Sequence, residues 1–358
     1  MVNKIDSLQV IRCFAAIYVV ICHIWNDGWL PKVFNELGSF GVDLFFVLSG
    51  FIMCLTVRLN LDDGPENASY FIKKRIVRIF PIYILCTVPL LLFNIKAEGV
   101  KDAYFYIGNL LLLPSITSDS TYRLVLSPGW SLTYEMLFYS LFAFLILFTR
   151  DKNRLLKANI VFLISLVVIV RMLSIQGPQL GWVNLRYIIG DTLLWNFGLG
   201  VVVYWLYMKY KNRFKINLGY SLTLLIAISV ISVFLYGYFN IPRILAFGLP
   251  AFIIVALFTL TKNHSGNRKI IKKMVFIGDA SYSIYLVHYY FVFFKPRVLL
   301  LEGFLNINPY VFLNIVDIVL VIGSVVAGCV FYLHIEKPII KYFSQKTRRQ
   351  LSPAVEQI

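Results

Sequence analysis

Residues 8–25 read LQVIRCFAAIYVVICHIW. As a helix this run covers most of a bilayer core at about 1.5 Å per residue. Its two ionisable residues are Arg12 and His23. The spacing between them is close to three helical turns, so both side chains leave one helix face, about 16 Å apart. Such a pair is costly on a membrane helix unless it meets a cavity or a partner. Residues 40–55, FGVDLFFVLSGFIMCL, form a second apolar run, and this one carries Asp43.

The pattern repeats along the chain. Of the 358 residues, 59% are hydrophobic and 16% aromatic, which excludes a soluble domain. The expected fold is all-α: a polytopic transmembrane helical bundle of about ten spans, near 8–25, 40–58, 76–95, 130–148, 157–175, 187–208, 218–236, 242–261, 277–298 and 310–334. The apolar segment 103–114 reaches only about 18 Å as a helix and is expected to be interfacial or re-entrant.

There are 34 Lys+Arg against 18 Asp+Glu, a net charge of +16. In a soluble protein that excess would point to nucleic acid. Here the cations sit in short loops, so the lipid bilayer is the expected partner and nucleic acid is not. With the N-terminus inside, twenty-four of the cations fall on the inner side and nine on the outer. Both termini are therefore expected in the cytoplasm, and the protein in the cytoplasmic membrane. One membrane domain over 1–340 and a short basic tail over 341–358 are expected, with no appended soluble module. The five cysteines all lie inside apolar runs without metal spacing. They read as small buried hydrophobes, and no metal or bound cofactor is expected.

This topology assigns depths. Arg12 falls in the inner half of the first span and His23 near its outer end. Asp43 falls near the outer end of the second span, and Glu135 in the outer half of the fourth. Ser131, Glu135 and Tyr139 share one face of that helix, after Trp130. One His and two carboxylates at similar depth suit general-base work, with a carboxylate orienting the imidazole. A proton relay in a transporter fits the same residues. Arg75 and Arg78, three apart beside Lys73 and Lys74, form a cationic patch where the third span meets the cytoplasm. They suit either anchoring to anionic lipid or a clamp on a phosphorylated ligand. Ser281, Tyr285 and His288 share a face in IGDASYSIYLVHYY and are candidate cavity-lining residues, with Asp279 placed to cap that helix. Asp191 and Asp317 read equally as helix-start carboxylates or site residues, and His264 and His334 receive no role.

Six fragments in order resemble the acyltransferase-3 family of integral membrane O-acyltransferases. They are Arg12 with His23, GVDLFFVLSGF at 41–51, KKRIVRIFP at 73–81, WSLTYEMLFY at 130–139, SYSIYLVH at 281–288 and EKP at 336–338. The resemblance implies an acyl-CoA donor, usually acetyl-CoA, taken from the cytoplasm. It implies a hydroxyl acceptor on a carbohydrate, such as a surface polysaccharide or a lipid-linked glycolipid. His23 would be the general base or a transient acyl carrier, with Asp43 and Glu135 beside it as catalytic groups. Arg12, Arg75 and Arg78 would handle the donor. The competing expectation is a transporter or flippase for a glycan-like solute, although no inverted-repeat signal supports it.

Overall fold

The computed structural model describes residues 6–25, 28–59, 63–117, 122–211, 218–261, 268–304 and 307–343. His264 and positions 344–358 of the expected tail lie outside them. Each long apolar run becomes a helix, because in lipid the backbone polar groups must be satisfied within the segment. The order is α1 (Asp6–Ile24), α2 (Glu36–Thr56), α3 (Gly64–Glu98), α4 (Ala103–Leu111), α5 (Gly129–Ile146) and α6 (Lys152–Met172). There follow α7 (Leu185–Ile189), α8 (Leu193–Tyr210), α9 (Leu218–Gly237), α10 (Leu249–Leu260), α11 (Arg268–Asp279), α12 (Ser281–Leu299) and α13 (Pro309–Phe331). π-helical turns precede α10 at Ile244–Gly248 and follow α13 at Tyr332–Glu336. Among the described residues the protein is an all-α bundle without a named strand.

Among the described residues, eight helices are long and apolar enough to cross a membrane. The two further expected spans fall on α8 and on the shorter apolar stretch Ile244–Leu260. The segment expected to be interfacial holds the nine-residue α4, about 14 Å long. Asn109 on α4 is fully buried and secures the chain before α5. Its amide donates to the Arg123 carbonyl at 3.0 Å and its oxygen accepts from the Val125 amide at 2.7 Å.

Two boundaries differ from expectation in ways that matter for the site. The third helix starts at Gly64 and runs for 35 residues, so Arg75 and Arg78 stand within it rather than at a loop. Asn67 and the proline at the helix start let α3 extend through a polar stretch that hydropathy excludes from a span. The ninth expected span is two helices. Asp279 ends α11, and Ala280 stands at the N-cap of α12 with no side-chain cap bond, so Asp279 does not open that helix.

The centre of the bundle is α2. A Cβ added at Gly50 would lie 2.2 Å from the Phe197 carbonyl oxygen, and one at Gly200 would lie 2.3 Å from that of Val47. The α2 and α8 backbones therefore touch, which is how membrane helices gain packing when lipid removes the hydrophobic drive between them. Phe46, Phe138 and Phe197 stack beside this crossing, with centroids 4.7 and 3.9 Å apart.

The same crossing is locked by a buried charge. Asp43 is fully buried and accepts from Arg243 Nη2 at 2.8 Å, Arg243 Nε at 3.1 Å and Asn196 Nδ2 at 2.6 Å. Arg243 Nη2 also donates to the Ser39 carbonyl. Removing one partner of such a pair strands the other charge, at a cost of about 3–5 kcal/mol. Asp43→Ala is accordingly expected to lower the thermal unfolding midpoint of the detergent-solubilised protein. An unchanged midpoint would contradict a structural role for this pair.

Candidate active site

Two cavities share a wall of cations. The wider, about 410 Å³, is lined by the cations Arg12, Arg58, Lys74, Arg75 and Arg78, together with Asp279 and Glu336. Arg12, Arg75 and Arg78 also line the narrower inner chamber, about 80 Å³, so the two adjoin at these cations. Ser49, Ser131, Glu135, Tyr139, Tyr282 and Tyr285 line that inner chamber.

The chamber is charged for a reason its own residues do not satisfy. Arg75 is 7% exposed, donates from Nη2 to Thr56 Oγ1 at 2.6 Å, and leaves its Nε without a partner. Its guanidinium lies over the rings of Phe71 and Tyr139, 5.2 and 5.1 Å from their centroids. Glu135 is held by hydroxyls instead: Ser49 donates to it at 2.6 Å and Tyr139 donates to the same oxygen. A second carboxylate, Glu336, accepts from Ser283 Oγ at 2.5 Å. Five cations against the three carboxylates Glu135, Asp279 and Glu336 leave the lining net positive, which a phosphate-bearing ligand would match. Arg75 is thus turned into the chamber, which a lipid-anchoring residue would not be.

His23 lies beyond this chamber with a partner that depth alone does not reveal. Its Nδ1 is 2.8 Å from Nε2 of the fully buried His288, and the two rings are nearly parallel at 5.1 Å. His288 Nδ1 is 3.2 Å from the Ile284 carbonyl. A carbonyl only accepts, so in the neutral ring Nδ1 carries the proton and Nε2 is left to accept. His23 must then donate from Nδ1, which leaves its own Nε2 with a free lone pair. The expectation that Asp43 or Glu135 orients His23 is corrected: Asp43 is engaged by Arg243 and Asn196, and Glu135 by Ser49 and Tyr139. One His orients the other.

The end of α1 is fastened so that this pair holds its geometry. Lys295 on α12 donates to the Ile24 carbonyl at 2.6 Å and pairs with the fully buried Asp317 of α13 at 2.7 Å. Asn314, one turn before Asp317, accepts from Trp25 Nε1 and from the Trp29 amide. Two helices, α12 and α13, therefore fix the turn of α1 that carries His23.

Tyr285 links the chamber to the histidines. It lines the chamber, its ring lies 5.9 Å from that of His288, and its hydroxyl meets Ser131 Oγ at 2.6 Å and the Pro128 carbonyl at 2.7 Å. Of the sequence-expected residues, Arg12, Arg75, Arg78, Ser131, Glu135, Tyr139, Ser281 and Tyr285 line the chamber. Trp130 and His288 do not: Trp130 packs tilted against Trp182 at 5.2 Å, and His288 is turned to His23. Asp191 accepts from the Leu193 amide at 3.0 Å, as a helix-start carboxylate does, and from Tyr134. Sequence reasoning assigns no role to Glu336, Ser49 or Tyr282, although all three sit inside quoted motifs. The five cysteines are free thiols; Cys13, Cys54 and Cys86 are buried, and Cys22 and Cys329 are half-buried.

Against known proteins, the family model for an acyltransferase domain matches residues 5–334, nearly the whole chain and every residue of this site except Glu336. The chain belongs to the acyltransferase-3 family. Among relatives of this acyltransferase-3 chain is O-acetyltransferase OatA of Staphylococcus aureus, 27% identical over 368 residues, covering 94% of this chain and 57% of OatA. Another is the exopolysaccharide production protein ExoZ of Rhizobium meliloti, 27% identical over 310 residues, covering 85% of this chain and 90% of ExoZ. The chain thus spans little more than half the length of OatA. No solved structure matches it. Family and apolar helices together make this acyltransferase-3 chain an integral membrane protein.

Proposed function

We propose that the chain is an O-acetyltransferase of the cytoplasmic membrane, moving an acetyl group from cytoplasmic acetyl-CoA to a hydroxyl of a carbohydrate acceptor. The observation that carries this reading is the cationic cavity leading, through Tyr285, toward a histidine whose Nε2 is unprotonated. The named activity of OatA and the exopolysaccharide role of ExoZ support it.

In this reading the basic end faces the cytoplasm, in line with the charge bias of the loops. Donor phosphates sit against Arg75, Arg78 and Arg12. The pantetheine arm extends into the chamber and carries the thioester toward His23. The acceptor hydroxyl gives its proton to His23 Nε2 as its oxygen attacks the thioester carbonyl. The new C–O bond forms, the C–S bond breaks, and the proton passes from His23 to the departing CoA thiolate. His288 holds the His23 ring in the one tautomer that can accept the proton. Glu135 and Glu336 balance the cations along the path.

Incubating the purified protein with acetyl-labelled acetyl-CoA tests this reading. The expected result is release of free CoA that rises when a glycan acceptor is added. A protein that neither binds acetyl-CoA nor releases CoA would favour a transporter instead.

A further inference from the structure

A second, separate cavity of about 360 Å³ lies along the same helices. The stripe of α12 that sends Tyr285 into the inner chamber continues at i+4 spacing through Tyr289 and Phe293, and both of these line the second cavity. The other walls follow in the same order. On α3, Arg75, Arg78 and Ile79 line the inner chamber, while Leu90, Phe93, Asn94 and Glu98 line the second cavity. Before α5, Ser127 lines the second cavity, and Ser131 the first. The two cavities are thus stacked end to end on three shared walls. Tyr290 and Tyr282, donating to the Cys86 and Ile79 carbonyls at 2.6 and 2.8 Å, hold α12 against α3 alongside both. The histidine pair sits at the level where one gives way to the other, since His288 lies between Tyr285 and Tyr289 in sequence.

The lining of the second cavity is unlike the first. It carries no cluster of cations: its Arg123 is already paired with Glu98, which also meets Lys101 at 3.4 Å. Aromatic rings form one side, with Phe93 and Phe293 packed edge to face at 4.9 Å. Asn94 is more than nine-tenths buried, and its side-chain oxygen has no hydrogen-bond partner. A buried amide oxygen without a donor is costly unless a ligand supplies one. Arg297 lies over the Phe93 and Phe293 rings, 5.7 and 5.3 Å from their centroids, so the unfilled acceptor oxygen of Asn94 and the hydroxyl-bearing Tyr289 and Ser127 are what match the chemistry of a neutral polyol.

We propose that this second cavity is the acceptor subsite, binding a sugar unit with one hydroxyl donating to Asn94 Oδ1 and presenting a neighbouring hydroxyl toward His23. This rests on the acyl-transfer reading above and adds where and by which residues the acceptor is held. Donor and acceptor would then approach the histidine pair from opposite ends of one channel, without competing for the cationic entrance.

The test uses the full-length protein in membranes, labelled acetyl-CoA, and as acceptor probe the alkali-de-esterified surface polysaccharide of cells that express the protein. Asn94→Leu, close in size but unable to accept a hydrogen bond, is expected to raise the half-saturating polysaccharide concentration about tenfold and leave that of acetyl-CoA unchanged. Phe93→Ala, at an exposed position of the same wall, is expected to shift the same constant in the same direction. Unchanged polysaccharide saturation in both variants, or an equal shift for acetyl-CoA, would overturn the subsite while leaving acyl transfer standing. A wild-type protein that releases CoA but acylates no polysaccharide would overturn the carbohydrate reading and the subsite with it.

Discussion

His23→Ala is expected to lower acyl transfer by about 10³-fold while the protein still inserts and accumulates. General-base assistance by a positioned His contributes about 10²–10⁴-fold to a rate, and the imidazole that remains, His288, is fully buried. His288 Nδ1 is committed to Ile284 and its Nε2 faces His23. The same geometry sets the expectation for the partner. His288→Ala keeps the base but leaves its tautomer and ring angle unset, so the loss is smaller, about 10–100-fold, and falls on turnover rather than on donor saturation. The check is single-turnover transfer of labelled acetyl in membranes matched for protein content. Full activity in His23→Ala would remove the histidine pair from the chemistry.

The double variant Arg75→Ala with Arg78→Ala is expected to raise the half-saturating acetyl-CoA concentration about 100-fold. Charge-assisted hydrogen bonds contribute about 1.5–3 kcal/mol each, and two of them at a cavity open to water support a change of that size. Arg75→Lys should recover only part of it, because an ammonium cannot reproduce the planar fork that meets two phosphate oxygens. Arg75 also stacks between Phe71 and Tyr139, so the lysine loses that contact as well. The measurement is donor titration of CoA release. Unchanged saturation would return these arginines to lipid anchoring.

Much of this was legible in the order of residues, for physical reasons that differ by feature. Apolar runs long enough for a bilayer produce helices almost without alternative, so the all-α bundle followed from α1, α2 and their repeats. Helix periodicity placed Ser131, Glu135 and Tyr139 on one face, and Ser281 with Tyr285 on another, and the structure turns all five into one chamber. Pairings between distant segments were not legible. Asp43 and Arg243 are 200 positions apart, and His23 and His288 are 265 apart. Depth in the membrane put His23, Asp43 and Glu135 at one level, but depth says nothing of rotation about the bundle axis. Rotation decides that Asp43 meets α8 and Arg243, and that Glu135 meets α2. Glu336 stayed hidden because it sits on a π-helical turn, where helical spacing no longer tells which way a side chain points.

In the proposed reaction acetyl-CoA enters at the basic end and its acetyl group leaves toward the other. Inverted membrane vesicles, with the cytoplasmic face outward and glycan sealed in the lumen, address it directly when labelled acetyl-CoA is added outside. Label recovered as alkali-labile acetyl ester on lumenal glycan, and lost in His23→Ala, is the expected result. Transfer that occurs only when donor and glycan share one side of the membrane would contradict it.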